Sequence, residues 1–425
     1  MGKMAQCCAT TSHRPQSSLH FTASSASNAK SFAMFGNNTT ATTIQGIAVE
    51  ESRKRWMECQ GVKNWEGLID PLDDTLRVQI LSYARFVEAA YRCFDFDMSS
   101  PTYATCRNDI DSMLAQCGLG NHRYRVTKNL YATCTTSVPR WIERILNLAS
   151  SPESSWIGYV AVCDDAEEIS RLGHRRVVIA FRGTATAREW LENLRVILTP
   201  LSVDMATTLP DCSGDHRQPM VQQGLLSLYT SGCDGRQSLQ DTIREDIREI
   251  VKGYGGKGEP ALSITITGHS LGGALATLTA YDIMTQFSGH VAAVPLVTAV
   301  SFGGPRVGND DFRREVEASD AKVLRIVNHD DPITKVPGFV FDDMAGLGVP
   351  AWLQKYTKYA AYAEVGKELR LSSKDRRLPH AKVMARSAIN VATCHDLNTY
   401  LYLIETFVTR RTLTKNLETT KAQFQ

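Results

Sequence analysis

An α/β fold with a mostly parallel central sheet, helices on both of its faces and an N-terminal helical extension is predicted by three observations on this 425-residue chain. Apolar, β-branched runs alternate with amphipathic stretches from residue 120 onward, the spacing of strand–helix–strand units. Val177–Phe181 is apolar at every position, as befits a central strand covered on both sides. The run Ile264-Thr265-Ile266-Thr267 ends at a glycine, turns through Ser270 and enters the Ala- and Leu-rich stretch Leu271–Ala276.

In chain order, residues 1–49 contain Lys3, Arg14 and Lys30 but no carboxylate, and are rich in Ser, Thr, Ala and Asn. That composition, without a long apolar core, predicts a disordered organelle transit peptide. Residues 50–118 are expected to form the helical extension. Asp70-Pro71 is a start signal, and Leu76, Ile80, Tyr83, Ala84, Val87, Ala90 and Tyr91 follow with helical spacing from Asp74 on. Ser100-Pro101 breaks that run. The α/β domain is expected over 119–410 and a tail over 411–425. Tyr124–Thr133, Trp156–Cys163, Val177–Phe181, Leu262–Thr267, Val297–Phe302 and Val323–Val327 read as strands. Ser238–Tyr254 sets Leu239, Ile243, Ile247, Ile250 and Val251 on one face, which predicts an amphipathic helix capped near Ser238.

The net charge is +2, but residues 50–425 carry 44 basic and 45 acidic side chains, a net −1. The body therefore lacks the basic footprint of a nucleic-acid binder. No stretch approaches the roughly 18 consecutive apolar residues of a spanning helix. The 11 cysteines are odd in number and lack metal-ligand spacing. Mostly buried, reduced thiols follow, with no disulfide framework.

Strand, G-x-S-x-G and helix in that order make the nucleophile elbow of α/β-hydrolases. Ser270 has to stand on a strained turn clear of the sheet, and Gly268 and Gly272 leave room for it. A serine hydroxyl needs a base, and the base needs an orienting carboxylate. In this fold they follow the serine, carboxylate first and histidine second. Val323–Val327 runs into Asn328-His329-Asp330-Asp331-Pro332, which offers two carboxylates. Asp331 is the better placed, because Pro332 biases it towards extended backbone; solvated turn acids are the alternative reading of both. Of His290, His329, His380 and His395, the last fits best. It follows the apolar stretch Ala388–Cys394 and opens a helix-like run that can reach over the sheet edge, although a helix-capping or core role is its alternative. His269 is set aside, since adjacent side chains at an elbow point apart. The developing oxyanion needs N–H donors. The backbone of Leu271 is one, and Thr184, in Arg182-Gly183-Thr184 after an early strand, is the second candidate. Ala187–Leu198 mixes apolar and charged residues around Trp190, and reads either as a lid or interfacial helix that meets lipid or as a core-packing helix.

Several segments together resemble the plant class 3 lipases, and within them the chloroplast phospholipase A1 (defective-in-anther-dehiscence-like) group. They are Trp65–Leu72, Phe181–Thr186, Glu189–Leu194, Gly268–Ala276, Ser301–Asn309, Asn328–Asp331 and His395–Leu397, within a resemblance spanning residues 52–405. The resemblance implies Ser270, Asp331 and His395 as catalytic residues, with Thr184 as an oxyanion donor. It also implies release of the sn-1 acyl chain of polar glycerolipids, no metal or other cofactor, plastid import and peripheral membrane contact. A departure is Gln222-Gln223-Gly224, where many lipases of the wider class carry His-x-Gly.

Overall fold

The computed structural model describes residues 53–119, 123–135, 153–186, 189, 195–201, 205, 218–233, 235–287, 295–335, 337, 362–372 and 391–407. The strands are β1 (Tyr124–Thr133), β2 (Ser154–Cys163), β3 (Arg175–Phe181), β4 (Leu198–Pro200), β5 (Met220–Gln222), β6 (Leu262–His269), β7 (Leu296–Phe302), β8 (Lys322–Asn328) and β9 (Lys367–Leu371). A 7-stranded sheet runs β1-β2-β3-β6-β7-β8-β9, and β4 and β5 form a separate small ribbon. The pairs from β3 to β9 are parallel, while β1 and β2 continue the sheet antiparallel.

The helices are α1 (Asp74–Cys93), α2 (Ala166–Leu172), α3 (Gln223–Thr230), α4 (Leu239–Tyr254), α5 (Leu271–Phe287), α6 (Asp310–Ala318) and α7 (Leu397–Thr406). One face of the sheet packs with α3, α4 and α5: Ile243, Ile247, Leu275, Leu278 and Ile283 share a core with Ile179, Ile264, Ile266 and Ala299. The opposite face packs with α1 and α7, where Leu76, Ile80, Val87, Leu397 and Ile404 meet Phe302, Ile326 and Leu369. Both faces are thus covered, as a parallel sheet requires.

Strand β6 shows why its sequence alternates. Ile264 and Ile266 enter the first core. Thr265 points the other way and donates to Gln60 Oε1 at 3.1 Å, and Thr298 on β7 donates to the Gln60 carbonyl at 2.7 Å. Thr265 and Thr298 therefore make buried polar contacts under α1, not a solvated face.

Helix α1 begins one residue after its cap. The Asp73 carboxylate accepts the Leu76 N–H at 3.1 Å, and Asp74 and Arg92 sit at the ends the helix dipole favours. The start lies beyond Asp70-Pro71, because Asp73 and not Asp70 carries the capping side chain. The helix ends at Cys93, well before Ser100-Pro101. Ser238 caps α4 as expected, accepting from the Asp241 N–H at 3.0 Å. Strand β9 was not foreseen: Lys-Glu-Leu-Arg-Leu buries only Leu369 and Leu371, the sparse pattern of a charged edge strand.

His174 is buried behind α2, stacked on Trp56 with ring centroids 4.1 Å apart, and its Nδ1 lies 3.1 Å from the Leu172 carbonyl. Burial, aided by the Arg176 charge, pulls its pKa down to about 3. In the unfolded chain this imidazole gains its proton near pH 6.5, so between those values the unfolded state binds more protons. Stability is expected to fall as pH drops through this window, by about 1.4 kcal/mol per pH unit for this one group. Urea melts of wild type and His174→Phe across the window test this; the variant should show the shallower acid dependence.

Candidate active site

Strands β3, β6, β7 and β8 are parallel and in matched register, with Phe181 opposite Gly268, Gly268 opposite Ser301 and Phe302 opposite Ile326. The segments that follow them leave the sheet along one carboxyl edge, where α/β folds hold their ligands. Ser270 takes φ +56°, a left-handed conformation that a serine adopts only under constraint. The constraint is the close passage of α5 over β3 and β6. A Cβ on Gly268 would meet the Gly272 carbonyl oxygen at 2.2 Å, and one on Gly272 would meet that of Arg182 at 2.5 Å. The Ser270 N–H donates to the Phe302 carbonyl at 2.9 Å, which pins the turn to β7.

The partly exposed Ser270 Oγ lies 2.7 Å from His395 Nε2, and His395 Nδ1 lies 2.7 Å from Asp331 Oδ2. Asp331 is fully buried. Its Oδ2 also accepts the Tyr400 hydroxyl at 2.7 Å, and its Oδ1 accepts the Ile333 N–H at 2.9 Å. Among the described residues, each hydrogen-bond partner of this carboxylate is a donor, so both of its oxygens act as acceptors. Asp330 stays at the turn surface beside exposed His329, whose Nδ1 is 3.1 Å away. His290 and His380 lie outside the described residues. His395 ends a short helical turn, Val391–His395, just ahead of α7. Asn328 holds that turn by donating from Nδ2 to the Cys394 carbonyl at 2.9 Å.

Leu271 opens α5, so its N–H has no acceptor within its own helix. Thr184 is half-buried on the segment after β3. That segment runs against the serine: a Cβ on Gly183 would meet Ser270 Cβ at 3.1 Å. The segment is anchored from inside by Arg182 and Glu189, both fully buried. Arg182 Nη2 and Nη1 pair with the Glu189 carboxylate at 2.7 and 3.0 Å, and Arg182 Nε donates to the Trp156 carbonyl at 2.8 Å. Glu189 Oε2 in turn accepts the N–H groups of Ala185 and Thr186 at 2.6 and 3.2 Å. Burial alone would push its pKa up, but Arg182 and these hydrogen bonds hold it below the usual carboxylate range. Glu189→Ala leaves a buried guanidinium unpaired and is expected to cost about 3–5 kcal/mol in a denaturant melt. Of the helix expected over Ala187–Leu198, Glu189 is core, but residues 195–197 are not helical, Ile197 is exposed and Leu198 opens β4, because this end of the segment pairs with β5 as a ribbon; residues 187–188 and 190–194 lie outside the described residues.

Further side chains shape the site that the sequence did not single out. Buried His269 places Nδ1 2.7 Å from the Tyr91 hydroxyl and Nε2 2.7 Å from the His395 carbonyl oxygen. Tyr91 also accepts the Gly183 N–H at 2.9 Å. Burial first, and the His395 charge second, pull the His269 pKa down to about 3. Both of its ring nitrogens are engaged by Tyr91 and the His395 carbonyl, in a second layer of contacts. The tyrosine at 91 reads in sequence only as part of a helix face. Tyr400 and Asn328 lie beside predicted residues, yet nothing in their spacing marks them.

An α/β-hydrolase fold with a hydroxyl–imidazole–carboxylate array on its carboxyl edge defines the class. The family described as lipase (class 3) matches residues 178–341. The chain is 54% identical over 364 residues to the chloroplastic phospholipase A(1) DAD1 of Arabidopsis thaliana, covering 84% of this chain and 77% of that protein. It is 38% identical over 362 residues to the chloroplastic galactolipase DONGLE of the same plant, covering 82% and 69% respectively. The chloroplastic/mitochondrial phospholipase A1 EG1 of Oryza sativa subsp. indica is 36% identical over 371 residues, covering 86% and 76%. The chain belongs to the class 3 lipases. It is a carboxylic ester hydrolase, and its location is the chloroplast.

Proposed function

We propose that this lipase releases the sn-1 fatty acid from polar membrane glycerolipids, phospholipids and galactolipids, with Ser270 as nucleophile, His395 as base and then acid, and Asp331 as orienter. The observation that carries the reading is the pair of 2.7 Å contacts in series, from the hydroxyl of a strained serine to an imidazole to a buried carboxylate. The substrate class rests on the relatives, two of them named phospholipase A1 and one galactolipase.

Ser270 attacks the ester carbonyl as its proton passes to His395 Nε2. Asp331 accepts from Nδ1–H and stabilises the imidazolium that forms. The tetrahedral oxyanion rests on the Leu271 N–H and on Thr184; losing one such donor typically costs about 100- to 1000-fold in turnover. His395 then gives that proton to the departing lysolipid oxygen as its bond to the acyl carbon breaks and an acyl-serine forms, and a water molecule, deprotonated by the same imidazole, attacks this ester and frees the fatty acid. The enzyme works from the membrane surface, as a peripheral protein. Residues 1–49 serve as the transit peptide, 50–118 as the helical extension, 119–410 as the lipase domain and 411–425 as a tail.

Phospholipid and galactolipid vesicles bearing different acyl chains at sn-1 and sn-2 test the assignment. Preferential appearance of the sn-1 chain as free fatty acid is expected. Equal release from both positions overturns the regiochemistry, and acyl transfer to a second lipid in place of free acid makes the protein a transferase. Failure of a fluorophosphonate to label Ser270 in the folded protein would favour a lipase fold that signals without hydrolysis.

A further inference from the structure

The structure assigns Tyr91 and His269 a joint positioning role: together they tie the Arg182–Thr184 segment to the main chain of His395. This rests on the reading of Ser270 and His395 given under Proposed function.

The direction of every proton in this chain of contacts follows from its ends. The Gly183 N–H can only donate, so Tyr91 Oη accepts it, at 2.9 Å. The His395 carbonyl can only accept, so His269 Nε2 carries a hydrogen, at 2.7 Å. The buried, neutral imidazole then has a lone pair on Nδ1, and the Tyr91 hydroxyl donates into it at 2.7 Å. The path Gly183 N–H, Tyr91 O–H, His269, His395 C=O is fully satisfied, and one tautomer of His269 satisfies it. It joins four pieces of chain that are far apart in sequence: helix α1, the segment after β3, the elbow and the turn ahead of α7. The adjacent Cys394 carbonyl is held by Asn328, so consecutive carbonyls at 394 and 395 are fixed from two sides.

Neutrality of His269 matters for the chemistry. Its ring centroid is 4.8 Å from that of His395. A second imidazolium there would oppose the proton that His395 must take up from Ser270. Burial keeps His269 uncharged, so the site holds one cation at a time.

The test is Tyr91→Phe, which keeps the ring and removes both hydrogen bonds of the hydroxyl. With a soluble p-nitrophenyl ester, kcat is expected to fall by about 10- to 100-fold, since small displacements of reacting groups cost that much, while KM stays near wild type; the thermal midpoint falls because two buried groups lose their partner, but the protein remains folded at the assay temperature. His269→Asn has one short amide in place of two opposed ring nitrogens and should lower kcat similarly. The double variant should lose no more than the worse single one, the signature of groups acting as a unit. Unchanged kcat in folded Tyr91→Phe, a rise in KM alone, or additive losses overturn the role. If Tyr91→Phe does not fold, folded His269→Asn decides, and wild-type kcat in it overturns the role as well. Wild-type protein whose esterase activity is insensitive to Ser270→Ala overturns the underlying reading instead, so the two failures are distinct.

A separate observation concerns thiols. Cys93 ends α1, and its Sγ lies 3.2 Å from that of Cys117. Cys93 is buried, and Cys117 is partly exposed. We propose that Cys93 and Cys117 form a reversible disulfide with small-molecule disulfides such as oxidised glutathione as oxidant. The Cys117 thiolate attacks the reagent and releases one thiol. Cys93 then attacks Cys117 Sγ and releases the second, so the protein loses two electrons and two protons and the reagent becomes two thiols. The sulfurs need to close by only about 1 Å to bond. Hydrogen bonding to Cys93 holds the Cys117 thiol below its ordinary pKa, which favours the first step. Folded protein treated with oxidised glutathione, alkylated and digested should yield a Cys93–Cys117 cross-linked peptide. The cross-link should vanish on reduction and in Cys117→Ser, but persist in Cys163→Ser. Stable glutathione adducts without the cross-link, bonding of Cys93 to Cys106 instead, or no oxidation at all would overturn it.

Discussion

Ser270→Ala is expected to lower kcat for ester hydrolysis by about 10⁶-fold with the fold intact. The nucleophile is lost, but the backbone is not disturbed, because alanine presents the same Cβ at the same left-handed φ of +56°. Without an attacking oxygen, His395 has no proton to take and no covalent intermediate forms. What remains is the pull of the oxyanion donors and of substrate binding, which in serine hydrolases leaves only about 10³- to 10⁴-fold over water. The measurement is acyl release from glycerolipid vesicles by wild type and variant at matched vesicle binding, with fluorophosphonate labelling in parallel. Equal acyl release would end the hydrolytic mechanism built on this serine.

Asp331→Asn should be the next most damaging change, lowering kcat by about 10⁴-fold with KM nearly unchanged. The reason is the donor-only surroundings of this carboxylate. Oδ2 accepts from His395 Nδ1 and from the Tyr400 hydroxyl, and Oδ1 accepts from the Ile333 N–H. An amide has one oxygen for these three donors. With its NH₂ towards the imidazole, His395 must switch tautomer and place a hydrogen on Nε2, which can then no longer accept from Ser270. With the NH₂ towards Ile333, two N–H groups oppose each other in a fully buried site. Steady-state kinetics on a soluble ester check this; a loss confined to KM would mean that Asp331 binds substrate and does not orient the base.

Much of this is legible in the amino-acid sequence. The strands were readable because β3, β6, β7 and β8 are buried on both sides, and burial forces β-branched and apolar residues into short uninterrupted runs. The elbow was readable because its geometry admits only glycine at 268 and 272. The sheet edge was not: β9 satisfies its environment with Lys367, Glu368 and Arg370, which look like loop residues. The helical spacing from Asp74 marks where α1 begins, but the capping residue is not legible, because Asp70 and Asp73 are equivalent in a string of letters and only the chain path gives one of them the Leu76 N–H.

The sequence by itself determined the fold class, the serine at the elbow and the order in which its proposed partners had to follow, since these depend on local backbone sterics and on periodicity. Only the tertiary structure decided which of Asp330 and Asp331 turns inward and which histidine reaches Ser270. It also decided that His269 serves as a brace between Tyr91 and the His395 carbonyl. Those choices depend on where β3, β6, β8 and α1 end relative to one another, and contacts across 64, 125, 126 and 178 positions of chain leave no trace in local spacing.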